Sequence, residues 1–179
     1  MCTYGRTADG HFDTLRWARA HGCISGPDTC SMAAKEGHLG ALRWLLEDRC
    51  PWGVETCAMA AWGGHLEVLQ WAREFGLPWD ESTCAFAALE GHLGVLQWAR
   101  EAGCPWNRWT CTYAARCGHL AILQWARAQD PPCPWDGHVC ADAEERGHME
   151  VAEWARAQDP PCPDLSDASG EYSAAAPAY

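Results

Sequence analysis

The chain has 179 residues, 48% hydrophobic and 21% charged, with a net charge of −11. Its twelve tryptophans exclude a disordered chain, and its acidic balance lacks the basic stripe that phosphate contacts need, so no nucleic-acid partner is expected. There is no long apolar run and no basic-then-apolar leader. This predicts no membrane partner, no secretion, and a cytoplasmic or nuclear location where the cysteines stay thiols.

The dipeptide Gly-His recurs at Gly10-His11, Gly37-His38, Gly64-His65, Gly91-His92, Gly118-His119 and Gly147-His148, at intervals of 27, 27, 27, 27 and 29 residues. A fixed period of this length marks an array of small units that bury their apolar faces on one another. The opening unit is degenerate, with Gly5-Arg6-Thr7 at core phases and the usual start of its first helix missing. That is the expectation for a truncated reading frame.

Each later unit reads as two helices. Gly26, Gly53, Asp80, Asn107 and Asp136 share one phase, and all belong to the set favoured at a helix N-cap. A small, apolar Thr-Cys-x-x-Ala-Ala stretch follows, suited to close helix packing. The turn glycines Gly37, Gly64, Gly91 and Gly118, with Gly147, fall where a helix ends on a left-handed residue. A second helix then carries an apolar stripe, as in Leu93, Val95, Leu96 and Ala99. It stops at Gly76, at Gly103, or at the Asp-Pro-Pro runs 130–132 and 159–161. Beyond Cys162 bulky apolar residues thin out, so 164–179 reads as a disordered acidic, Ala-rich tail.

The run Ala87-Ala88-x-x-Gly91-His92-Leu93-x-Val95-Leu96 resembles the core of the ankyrin repeat, and related runs recur across residues 1–163. The resemblance implies an all-α fold: a six-unit α-solenoid of stacked helix-turn-helix ankyrin-like repeats. Two departures stand out. The units are shorter than the family's, with the deficit between Gly103 and Thr110 where the family places a β-hairpin finger. Thr-Cys also replaces the family's usual Thr-Pro opening. The shortened loops resemble those of the Trp- and Cys-rich arrays of large DNA viruses and some protists. The implied role is protein binding by a monomer, without catalysis, and the missing fingers move attention to the helix faces.

Residue types that suggest chemistry follow the period. Cys23/Cys30, Cys50/Cys57, Cys104/Cys111 and Cys133/Cys140 share one spacing, but equivalent positions in stacked helices lie about 8–10 Å apart, too far for one zinc ion. The cysteines are therefore expected to be small buried hydrophobes. His38, His65, His92 and His119 are expected to tie neighbouring turns together through their rings. His21 and His138 stand outside that phase. Trp17, Trp44, Trp71, Trp98, Trp125 and Trp154 form one tryptophan ladder, Trp52, Trp79, Trp106 and Trp135 a second, and both are expected in the core. No catalytic residue, metal ligand or cofactor site stands out from the repeat.

Positions that vary between copies are left to form a surface. The end of the first helix reads Lys35-Glu36, Trp62-Gly63, Leu89-Glu90, Arg116-Cys117 and Glu145-Arg146. A second variable phase reads Asp28, Glu55, Ser82, Trp109 and His138. Aromatic and arginine side chains are the usual interface anchors, so Trp62, Leu89, Arg108, Trp109 and Arg116 are the expected protein-binding residues. In the last unit Asp142 and Glu144 occupy apolar phases, as a terminal cap requires. Two other classes stay open: a Cys/His metal-binding protein, which elemental analysis decides, and the substrate-recruiting part of a ubiquitin-ligase adaptor without its F-box.

Overall fold

The computed structural model describes His21, residues 26–47 and 49–158, and Cys162. The expectations for Gly10-His11, Trp17, Cys23, the opening unit and the tail lie outside these residues. The described residues form ten helices of eight or nine residues each and no strand. The chain divides into two compact units, Met1–Trp79 and Asp80–Tyr179. The division falls on a repeat boundary, at the N-cap residue Asp80.

The first unit holds α1 (Pro27–Lys35), α2 (Leu39–Glu47), α3 (Val54–Trp62) and α4 (Leu66–Glu74). Each odd-numbered helix packs on the even one that follows, and α1 packs on α3. The second unit holds α5 (Glu81–Leu89), α6 (Leu93–Glu101), α7 (Arg108–Arg116), α8 (Leu120–Arg127), α9 (His138–Glu145) and α10 (Met149–Arg156). Here α7 lies between α5 and α9, and each of these three carries its own following helix. The small residues of the Thr-Cys-x-x-Ala-Ala stretch permit this close approach: Thr83, Cys84, Ala85, Ala87 and Ala88 of α5 are all buried.

The helices begin where the capping phase falls. Gly26, Gly53, Asp80 and Asn107 are the N-caps of α1, α3, α5 and α7, each with extended backbone. The Asp80 carboxylate accepts from the Ser82 N–H at 3.0 Å, and the Asn107 side-chain oxygen accepts from the Trp109 N–H at 3.0 Å. Each satisfies a first-turn donor that the helix leaves open, worth about 1 kcal/mol over alanine. The last repeat starts one residue later, with Gly137 at the cap, yet Asp136 still accepts from the His138 N–H at 3.1 Å.

The first helices end as expected, on glycines with φ between 74° and 81°. At Gly118 the reversal closes with Gly118 N–H to Ala115 O at 3.1 Å and His119 N–H to Ala114 O at 2.8 Å, the paired bonds of a left-handed helix terminus. The second helices bury Val68, Leu69 and Ala72 in α4, Val95, Leu96 and Ala99 in α6, and Ile122, Leu123 and Ala126 in α8. Gly76 and Gly103 end α4 and α6 in the same left-handed geometry, and Arg49 takes that place after α2 with φ 56°. After α8 the chain carries Pro131-Pro132, yet the Cys133 N–H reaches Ala126 O at 3.0 Å, just as Cys104 N–H reaches Ala99 O at 2.9 Å. The longer interval is thus absorbed as a local bulge and the register is restored.

The tryptophan ladders correct the expectation of a core. Trp71 is buried, but Trp44, Trp98, Trp125 and Trp154, and all of Trp52, Trp79, Trp106 and Trp135, are half-buried. The core-facing stripe of each second helix is filled by small and aliphatic residues, which leaves the indoles on its flank. There a connector ring leans on a helix ring: Trp52 on Trp71 at 5.8 Å, Trp106 on Trp125 at 5.9 Å, and Trp135 on Trp154 at 6.1 Å between centroids. Trp71 is more covered because Phe75 closes its other side at 5.1 Å. The equivalent position after α6 is Ala102.

Candidate partner-binding surface

The variable residues sit at the two ends of the first helices. Trp62 is the last residue of α3, half-buried, with the Lys35 ammonium 4.1 Å from the centre of its ring. Leu89 and Arg116 are the last residues of α5 and α7, and Arg108 and Trp109 open α7. All four are half-buried. The nine residues of α7 separate Arg108 from Arg116 by about 12 Å along its axis. The second unit therefore brings Arg108 and Trp109 together at one end, and Leu89 and Arg116 at the other.

At the first end, Trp109 rests on the buried Tyr113 one turn later, with ring centroids 5.6 Å apart. The Arg108 guanidinium lies 5.4 Å from the Trp109 ring, and its Nε is 3.5 Å from an Asp136 carboxylate oxygen. At the other end Arg116 Nε is 3.7 Å from an Asp142 carboxylate oxygen. These pairs are about a third exposed on the arginine side, where an ion pair is worth only about 0–1 kcal/mol. Both arginines are oriented by the following repeat without being consumed by it. Sequence reading placed Asp142 in a polar cap and overlooked its partnership. The signal was there: opposite charges stand 28 and 26 residues apart, close to one period.

Among the described residues, the rings of His65 in the first unit and of His119 and His148 in the second pack on the Gly-His turn of the preceding repeat. His119 Nε2 is 3.1 Å from Leu89 O, and since a carbonyl only accepts, that nitrogen donates. A Cβ built on Gly91 would fall 2.8 Å from the His119 ring. On Gly118 it would fall 2.7 Å from that of His148, and on Gly37 2.6 Å from that of His65. Each of these three imidazoles thus packs closely against the glycine of the preceding turn.

Two further arrangements went unread in the sequence. Arg73, Arg100 and Arg127 at the ends of α4, α6 and α8 stack on Trp79, Trp106 and Trp135 at 4.1, 4.2 and 4.3 Å. Each also donates from Nη1 to a connector carbonyl, those of Leu77, Cys104 and Cys133 respectively. A fixed Arg-to-Trp offset of six residues in the first two copies was the available signal. The second arrangement concerns the thiols. Contacts join Cys30 to Cys50, Cys84 to Cys104, Cys111 to Cys133 and Cys140 to Cys162. None of these pairs follows the six-residue spacing visible in the sequence, because the connector folds back beneath the first helix of its own repeat.

Among the described residues the thiols are buried except that of Cys117, which is half-exposed. Desolvation raises the Cys30 thiol above its ordinary value, and the neighbouring Cys50 adds to the effect. The Cys84 and Cys133 thiols are raised first by their bonds to Cys104 and Cys111, then by burial. Burial pushes the Cys162 thiol up to about 12. These groups are therefore protonated at neutral pH, the opposite of an activated nucleophile or a ready metal ligand. Among the described residues no three His, Cys, Asp or Glu side chains form a metal-holding group, and no helix is long and apolar enough to cross a membrane.

Comparison with known proteins yields no matching family model and no curated protein that matches in sequence.

Proposed function

We propose that this chain is an ankyrin-like helical-repeat array that binds a protein partner, without catalysis, through variable side chains on a constant frame. The observation that carries the reading is the contrast within α7. Thr110, Cys111, Ala114 and Ala115 keep the repeat and are buried, while Arg108, Trp109 and Arg116 depart from it and are half-exposed. A frame specified by repetition leaves such residues without a packing duty. Trp109 with its stacked arginine has the composition of an interface anchor, a rigid aromatic face beside a fixed charge. The proposed solenoid is further supported by the row α5–α7–α9 and by the histidine ties between successive turns. The affinity partner is a protein surface with carboxylates to meet Arg108 and Arg116 and an apolar side chain to cover Trp109.

The test is affinity capture from cell extract with the full chain, comparing wild type with the Trp109→Ala/Arg116→Ala variant and with Trp62→Ala. Retained helicity in far-UV circular dichroism shows that the variants fold. The reading expects at least one captured protein to be lost with the double variant. Identical capture by all three folded chains refutes it.

A further inference from the structure

Four repeats hold two cysteine thiols in contact, one on the first helix and one on the connector that closes the same repeat. The connector sulfur is placed with care. Cys50, Cys104 and Cys133 each reach the carbonyl of their repeat's capping residue, Gly26, Asp80 and Asn107, at 3.4, 3.3 and 3.5 Å, and Cys162 reaches that of Asp136, just before the cap Gly137, at 3.4 Å. Their backbone N–H groups bond to Leu45, Ala99, Ala126 and Ala155 near the end of the second helix, at 2.9–3.1 Å. The sulfur is thus held from both sides, next to its mate, across a loop of 20 or 22 residues.

Packing does not require a thiol at the connector. In the remaining described repeat the same phase is Leu77, buried and 5% exposed, and its N–H bonds Ala72 O at 3.0 Å as the cysteines do. An aliphatic side chain therefore serves the scaffold there. The first-helix phase is cysteine in all five described repeats, so each described connector cysteine meets a thiol.

We propose that these four thiol pairs are oxidative modification sites that close to disulfides within their own repeats on reaction with a small-molecule disulfide. When a local opening exposes the pair to water, one protein thiol gives up its proton and the thiolate attacks a sulfur of the small disulfide, forming a mixed disulfide and releasing one small thiolate that takes up that proton. The paired cysteine then attacks the protein sulfur of that mixed disulfide, forming the Sγ–Sγ bond and expelling the second small thiol. The two protein protons leave with the two small thiols; the protein dithiol is oxidised and the small disulfide is reduced. Closure ties each connector to the first turn of its repeat's first helix, next to the cap.

Burial sets the order. Cys140 and Cys162 are each 7% exposed, and Cys50 is 4% exposed beside a fully buried Cys30. Cys84, Cys104, Cys111 and Cys133 expose nothing. The Cys140–Cys162 pair therefore closes first, Cys30–Cys50 next, and the two central pairs last, as each waits for a local opening that admits the oxidant.

The experiment equilibrates the full folded chain with mixtures of glutathione and glutathione disulfide, quenches and alkylates, and maps the linkages by peptide mass spectrometry. The expected result is four within-repeat crosslinks in that order, with the repeat of Leu77 contributing none. Cys104→Leu, which copies the Leu77 solution, removes the link to Cys84 alone, and Leu77→Cys adds a link to Cys57. Crosslinks chiefly between repeats, such as Cys104 to Cys111, overturn the proposal. So do glutathione adducts that never close, or thiols that stay alkylatable until the helices melt.

Discussion

The histidine ties make a sharp prediction at Gly118. This glycine has φ 76°, and a Cβ there would lie 2.7 Å from Nδ1 and 2.9 Å from Cε1 of His148. Gly103 has φ 85° and open space around the same hypothetical atom. Replacing either with alanine incurs the left-handed penalty of about 1–2 kcal/mol. Both substitutions also stiffen the unfolded chain to the same degree, so that effect cancels between them. Gly118→Ala must in addition push the imidazole back by several tenths of an ångström, an overpacking cost of about 1–3 kcal/mol. Urea unfolding followed by tryptophan fluorescence should therefore place Gly103→Ala about 1–2 kcal/mol below wild type and Gly118→Ala about 2–5 kcal/mol below. In a His148→Ala background the excess should vanish, leaving the two glycine substitutions equal. Equal losses in the wild-type background, or an excess that survives the removal of His148, would refute the claim that the ring on the glycine couples the turns.

Arg49 stands at φ 56° where the other repeats use Gly76 and Gly103, so Arg49→Gly should stabilise the chain by up to about 1 kcal/mol, read as a higher urea midpoint at unchanged slope. Cys117 is the half-exposed thiol among otherwise buried described cysteines, so among these iodoacetamide should modify it first in the folded protein. Its thiol is raised chiefly by burial and then by the Glu90 carboxylate, so the alkylation rate should rise at higher pH than for a simple thiol. Glu90→Gln removes a negative charge that opposes the thiolate and should shift that rise to lower pH. A shift upward, or none, would show that Glu90 does not act on it.

Particular residues show how much was legible beforehand. The Gly-His period located every first-helix terminus in the described repeats, because a left-handed turn nearly demands glycine and so marks its place locally. The capping phase located the first-helix starts because the N-cap preference is also set locally, by the free N–H groups of the first turn, apart from the one-residue slip at Gly137. The candidate surface was legible only as a set of departures from the period. That Arg108 and Arg116 reach Asp136 and Asp142 depends on which helices lie side by side, as does the split of the set between the two ends of the first helices.

The tryptophans and cysteines mark the boundary most clearly. Sequence alone determined their periodicity, and with it the helix pairs, the turns and the positions that vary. It could not say which side of a helix a large ring would occupy, since an indole satisfies a core or a flank equally well by its apolar character. Packing decided that mostly small and aliphatic residues fill the interior and that all the described ladder indoles but Trp71 lie half-covered beside them, those of Trp79, Trp106 and Trp135 clasped by arginine. It also decided the thiol partners. A spacing of six along the chain is conspicuous to the eye, but contact follows the path of the backbone, and each connector returns to the helix that began its own repeat.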